Sequence, residues 1–214
     1  MFQSRNGLWS SKAAPPVFDV AGTIAYNIGG TGTTSTISPT KTDYVLAAVV
    51  CTNSTSFSMT CGGTSMSKIL AATPAGYAVN SYLTLFGLAN VAAGTNINLV
   101  SSSAAAYSAQ SAVAISRVNS VAVGSLYSSN STGAINSGGA VTIGASQLCV
   151  DAIFTSSDVT LSSPLPSGSN ELWVNSVSIG NISFGLWVAS GANTTFSGTL
   201  SGSMYFGSIP VIFS

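Results

Sequence analysis

The sequence contains no histidine and very little charge. Five Lys and Arg and five Asp and Glu make up 5% of 214 residues and cancel to a formal net charge of zero. An ordinary globular protein carries roughly 25% charged residues. A protein that grips nucleic acid needs a basic face to meet phosphates, and one held on anionic lipid needs a polybasic cluster. This chain supplies neither, so no nucleic-acid partner is expected. Without histidine, serine lacks its usual general base, and no Gly-rich run leads into the Lys-Ser/Thr of a phosphate loop. A Ser-Lys pair would have to use Lys41 or Lys68 and is not expected. Cysteine is also sparse, at three residues with no CxxC pair, so a zinc site is not expected, nor is any other metal or a cofactor. Cys51 and Cys61 flank a candidate hairpin and could bridge, while Cys149 sits in an apolar strand. The simplest reading is three small core residues kept reduced. Long apolar runs are missing too. The start, MFQSRNGLWSSKAAPPV, lacks the continuous stretch of a secretory signal. The longest clear run, Tyr44 to Cys51, is far short of the ~20 residues of a membrane span, and no membrane insertion is expected.

What the chain has is apolar residues, at 46%, set among Ser, Thr, Asn and Gly. That is ample for a core and unlike a disordered chain, which is charged and poor in apolar residues. A neutral surface of hydroxyls and amides offers little self-repulsion. It suits a protein packed against copies of itself or other subunits. The apolar residues recur with period two. In Ser81 to Val121, Tyr82, Thr84 and Phe86 alternate with Leu83, Leu85 and Gly87. Ile97 and Leu99 alternate with Asn96, Asn98 and Val100, and Val113 and Ile115 with Ala112, Ala114 and Ser116. This stretch reads as three adjacent strands of one sheet, which needs a second layer over its apolar face.

The rest of the chain follows the same style. Val17 to Ile28 reads as one or two strands, and Thr33 to Thr42 as a polar edge strand. Asp43 to Cys51 (DYVLAAVVC) and Gln147 to Thr155 (QLCVDAIFT) read as strands buried on both faces. Cys61-Gly62-Gly63 and Thr73 to Gly76 are turns, and Ser65 to Leu70 is a strand between them. Ala-rich Ser103 to Ser116 could support a helix, but β-branched Val113, Ile115 and Val118 favour strand. Gly124 to Gly139 reads as loop, Val141 to Ile143 as a short strand, and Ser162 to Asn170 as a long surface loop. Trp173 to Ile179 and Ile182 to Ala189 form a hairpin about Gly180-Asn181. Two further strands, Thr194 to Ser201 and Ser203 to Phe213, close the chain. Closely spaced short strands with Gly, Pro and Asn punctuation predict an all-β fold: a single antiparallel β-sandwich of jelly-roll type over residues 17–214. Residues 1–16, with Pro15-Pro16, form an extended N-terminal arm.

Chemistry is thin. The carboxylates are Asp19, Asp43, Asp151, Asp158 and Glu171. A glycosidase needs two of them facing across a cleft. Asp43 and Asp151 lie at or inside apolar strands, where one could be buried and paired, although strand-end carboxylates usually cap turns. Trp9, Trp173, Trp187 and Tyr205 could stack on sugars but read more simply as core or interface anchors. No catalytic residue is assigned and no enzyme is expected. The arm supplies the candidate binding residues: Phe2, Leu8 and Trp9 as apolar anchors, with Arg5 and Lys12 able to pair with a neighbour's carboxylates.

One pattern has a counterpart. An apolar strand (DYVLAAVV), a Gly-Gly turn into a Met-containing strand (CGGTSMSKIL), an aromatic strand (YLTLFGLANV), an A-G-T turn into a strand (AAGTNINL) and a small-residue strand (SAVAISRVNSV) follow one another from Asp43 to Val121. This resembles the Ser/Thr/Gly-rich β-sandwich minor tail proteins of mycobacteriophages and related actinobacterial phages. Gln147 to Phe213 fits the same scheme, so the resemblance spans residues 20–214; Ser116-Arg117 stands where the family pattern has an aromatic and a glycine. The resemblance implies a non-enzymatic structural protein of the virion, in the tail or its tip, made in the bacterial cytoplasm. Its partners would be copies of itself and other virion proteins, with a host cell-surface glycan or lipid as a further candidate. A capsid decoration or head-fibre protein is the alternative. A secreted carbohydrate-binding module is the third reading, and the lack of a leader and of histidine weighs against it.

Overall fold

The computed structural model describes residues 14–28, 32–52, 57–72, 81–102, 107–136, 142–155, 161–162, 170–179, 182–190 and 197–214. Among these there is no helix; the regular structure is all strand, and every pairing is antiparallel. The first half of the chain contributes β1 (Val17–Ala21), β2 (Ala25–Ile28), β3 (Gly32–Ile37), β4 (Asp43–Thr52), β5 (Ser58–Cys61), β6 (Thr64–Ser65), β7 (Ser67–Ala72), β8 (Ser81–Val91), β9 (Ile97–Ser102) and β10 (Tyr107–Ser116). The second half contributes β11 (Val121–Val123), β12 (Tyr127–Asn136), β13 (Leu148–Thr155), β14 (Leu161–Ser162), β15 (Asn170–Ile179), β16 (Ile182–Ser190) and β17 (Ser197–Phe213).

The strands make three sheets. A first large sheet has the order β1-β10-β4-β8-β7, with β2 continuing β1 along β10. A second has the order β11-β17-β13-β16-β15, with β12 and β14 also on β17. A small sheet, β3-β9-β5-β6, completes the set. The two large sheets share one connectivity. Counting only the five strands of each main order by their place in the chain, each runs first, fifth, second, fourth, third, and in each an additional strand that follows the first, β2 or β12, extends along the fifth.

Strand alternation explains the layering. On β4, Leu46, Ala48 and Val50 enter an apolar cluster with Leu148, Val150, Ala152 and Phe154 of β13 and Ile209, Val211 and Phe213 of β17. Val45, Ala47, Val49 and Cys51, on the opposite face, enter a different cluster with Ile37, Met59, Cys61 and Leu99 of the small sheet. The first large sheet is therefore the middle layer. Its strands β4 and β10 are buried on both faces, as near-continuous apolar sequence predicts for β4. The outer side of the second large sheet carries a third cluster, containing Ile143, Cys149, Ile153, Trp187, Ala189 and Phe206.

The small sheet is also held by buried polar bonds. The Gln110 amide donates to Ser35 Oγ at 2.8 Å and to the Leu99 carbonyl at 2.9 Å. The hydroxyls of Thr33 and Ser108 meet at 2.8 Å. Gln110 is fully buried, so losing it strands its partners away from water. Gln110→Leu should cost about 1–3 kcal/mol by urea unfolding while leaving the circular dichroism spectrum unchanged. No measurable loss would mean that apolar contact alone holds the small sheet.

Several sequence expectations are corrected. The strands of Ser81–Val121 are not adjacent: β8 and β10 flank β4, and β9 lies in the small sheet. A long connection lets β4 pair between them, which periodicity cannot report. The supposed loop Gly124–Gly139 contains β12, defined by its register with β17 rather than by apolar alternation. The two closing strands are one, β17. Thr142 and Ile143 are irregular, and Ile143 serves as a core residue instead. The turn at Thr73–Gly76 lies outside the described residues, as do residues 163–169 of the expected surface loop and the Gly180-Asn181 turn. Tyr107–Ser116 is strand, as expected.

Candidate functional site

The arm residues Phe2, Arg5, Leu8, Trp9 and Lys12 lie outside the described residues, as does Asp158. The chemistry that can be located gathers at one end of the first large sheet, and bulges place it there. The β1–β10 register shifts between Phe18 and Val20, so Asp19 is the bulged residue. The β4–β8 register shifts between Asp43 and Val45, where Ala89 and Asn90 of β8 occupy the extra space. Bulges bend a strand and re-aim side chains. Here they bring two carboxyls from separate strands together.

Asp19 accepts the Thr40 N–H at 2.6 Å and the Thr40 hydroxyl. Burial pushes its pKa up, but those two bonds, then a hydrogen bond with the Asp43 carboxyl and last Lys41, together hold it below the usual value. Asp43 is 2% exposed; no N–H or hydroxyl donates to its oxygens, and its carboxyl is hydrogen-bonded to that of Asp19. Burial first, then the Asp19 carboxyl, push Asp43 up to about 7; Lys41 offsets little of this.

Two open cavities lie at this end, and the smaller touches Asp43. One, of about 230 Å³, is polar and lined by Thr42, Asp43, Tyr44, Asn90, Arg117 and Val118 among others. The larger, of about 410 Å³, runs past Cys61, Gly62, Asn90, Gly94 and Ile97 and shares Ala89 and Asn90 with the first. Every left-handed residue among those described lies at this end: Gly62, Gly63, Asn90 (φ 59°), Asn96 (φ 51°) and Arg117 (φ 61°). For Asn this conformation is tolerated; for Arg it is uncommon, and such residues cluster at working sites. Sequence reading missed Asn90 and Arg117 because neither belongs to a motif. Their signal is conformational.

No family model, curated protein or solved structure matches the chain.

The remaining candidates are dispersed. Asp151 is fully buried on β13, on the outer side of the second large sheet. Ser208 Oγ donates to both its oxygens at 2.8 Å. Glu171 lies on β15. Trp187 is 1% exposed and belongs to the core. Cys51, Cys61 and Cys149 are all buried and none is in a disulfide, so the first two are not bridged. The three-residue Ser-Lys spacing does occur, at Ser38–Lys41 and Ser65–Lys68. That spacing joins two groups on a helix, and these pairs lie in loop and strand. Ser38 Oγ instead accepts the Asn96 N–H at 2.9 Å. Among the described residues no three His, Cys, Asp or Glu side chains converge, and no helix is long and apolar enough to cross a membrane.

Proposed function

We propose that this chain is a non-enzymatic structural protein of a phage virion, placed in the tail or its tip. In this reading it assembles with copies of itself and other virion proteins and can meet a host cell-surface glycan or lipid. Its two large sheets are read as a β-sandwich of jelly-roll type, with residues 1–16 as an arm that docks on a neighbour. The observation that carries the reading is the match between the phage-like pattern and the strands. DYVLAAVV falls in β4, CGGTSMSKIL runs through β5 to β7, YLTLFGLANV lies in β8, AAGTNINL enters β9, and SAVAISRVNSV spans the end of β10. The pattern therefore covers β4 to β10, the greater part of the middle layer and of its small sheet, with β1, β2 and β3 lying before it. The free edge adds support: Tyr26 and Ile28 of β2 are 59% and 62% exposed, apolar side chains on an edge strand of the kind subunits cover.

The test is direct. Virions produced from the genome that encodes the chain should contain it by mass spectrometry, and an antibody against it should label tails in electron micrographs. Labelling confined to capsids would move the protein to the head, and absence from purified particles would overturn the reading.

A further inference from the structure

We propose that the cleft at the rim of the two large sheets, between the start of β1 and the ends of β13 and β16, receives the N-terminal arm of a second copy of this chain, with Trp9 as its anchor. The proposal rests on the reading of residues 1–16 as an assembly arm and names the surface that the arm meets. The cleft has a volume of about 260 Å³ and is lined, among the described residues, by Pro16, Val17 and Phe18 on one side and Leu148 and Ser190 on the other. Leu148 pairs with Ser190 across β13 and β16, so both lie on one sheet face. That face looks toward the first large sheet, for Leu148 belongs to the core between the two sheets and Phe18 packs against the same core. The cleft is thus an open notch in the rim of that core. Val17 at its mouth is 36% exposed.

Three observations choose the occupant. The first is position. Residues 1–13 precede the described part and lead through Ala14 and Pro15 to Pro16, itself a wall of the cleft. Each copy therefore carries an arm and a cleft side by side. The second is chemistry. No described lining residue is charged, and the arm offers large apolar side chains in Phe2, Leu8 and Trp9. Tryptophan is the side chain most enriched as an anchor in desolvated pockets. The third is direction. Val17 pairs with Ser116, the last residue of β10, so the chain enters β1 at the end of the sheet. Pro15 and Pro16 favour an extended chain there, which carries the arm off the sheet rather than back into its own cleft. Trp9 lies seven residues before Pro16, a reach of up to about 25 Å when extended. A contact between two different surfaces, arm and cleft, can close rings or extend in line.

The test uses the full-length chain in sedimentation velocity. The unmodified protein should be larger than a monomer. Trp9→Ala should weaken its association by about thirtyfold or more. Val17→Arg places a charge in the mouth of the cleft and should do the same. Ser190→Trp, which fills the cleft from its other wall, takes its place if Val17→Arg does not fold. Mixing the two kinds of variant is decisive. Trp9→Ala keeps its cleft and Val17→Arg keeps its arm, so the mixture should recover association as a one-to-one complex. A monomeric unmodified chain would overturn the proposal, and if Trp9→Ala lowers that monomer's melting temperature the arm occupies its own cleft. Association that survives Trp9→Ala, or a mixture that stays monomeric, would overturn it too. Self-association and the composition of purified virions are separate readouts, so either reading can fail alone.

Discussion

Phe154→Ala should lower the free energy of unfolding by about 3–5 kcal/mol. Phe154 is fully buried in the layer between the two large sheets. Its register partners on β13's neighbours are Phe184 on β16 and Gly207 on β17. The glycine is part of the fit. A methyl on Gly207 would lie 2.5 Å from one Phe154 ring carbon, 2.7 Å from another and 3.1 Å from Leu126. The ring occupies the space a side chain would take. Removing the ring therefore leaves a cavity under a glycine, with nothing on β17 able to fill it. Gly207→Ala should cost about 1–3 kcal/mol by the opposite route, overpacking. Because the two changes act on one volume, the double substitution should cost less than their sum. Urea unfolding of the three variants checks this. A Phe154→Ala loss under about 1 kcal/mol, or strict additivity, would show that the sheets are not packed through this pair.

Asp151→Asn should make the protein more stable at pH 8 and change little at pH 4. Burial pushes the Asp151 carboxyl up to about 7 against the usual value of 3.8, and the Ser208 hydroxyl pulls it back only in part. The folded state therefore holds its proton more tightly than the unfolded chain. That contribution to stability is complete below pH 3.8 and is lost as pH rises through 7. The asparagine cannot ionise, so it escapes the loss. A difference of about three pKa units corresponds to about 4 kcal/mol between the two limits. The group nearest on the same face is Cys149, whose thiol is pushed well up by burial and then by the Asp151 charge. It stays neutral through this range. Asp43 also sits near 7, but it is common to both proteins and cancels in the comparison. Unfolding measured from pH 4 to pH 9 should show the curves of the two proteins drawing apart between pH 4 and pH 7 and running parallel above that. A constant gap across that range would sink the assignment.

Much of the all-β architecture was legible because burial writes itself into the sequence with period two. Asp43–Thr52 and Leu148–Thr155 announce themselves as apolar on every position, and both are central strands. Tyr127–Asn136 does not, since its Ser, Asn and Thr residues say nothing of a partner, and only pairing with β17 makes it a strand. The position of β9 was hidden for a related reason. Ile97 and Leu99 show that one face is buried, but not against which layer. The site was less legible still. Asp43 was a candidate, but its partner Asp19 could not be chosen from sequence. The bulges that bring them together are offsets between strands, properties of a pair rather than of either segment. The left-handed turn at Arg117 has no residue preference to betray it.

The repeated strand order has a consequence for how the molecule comes apart. Every described pairing joins residues within 17–116 or within 121–213. Among the described residues no hydrogen-bonded ladder crosses the junction near residue 118. Each large sheet can zip up using contacts internal to its own hundred-odd residues, which limits the loop-closure entropy of each step. The joint between the two large sheets is different in kind. It consists of apolar side chains, and such contacts are non-directional. The two halves are thus natural cooperative units. The seam between them is the plane along which the protein can open while both backbone ladders stay intact.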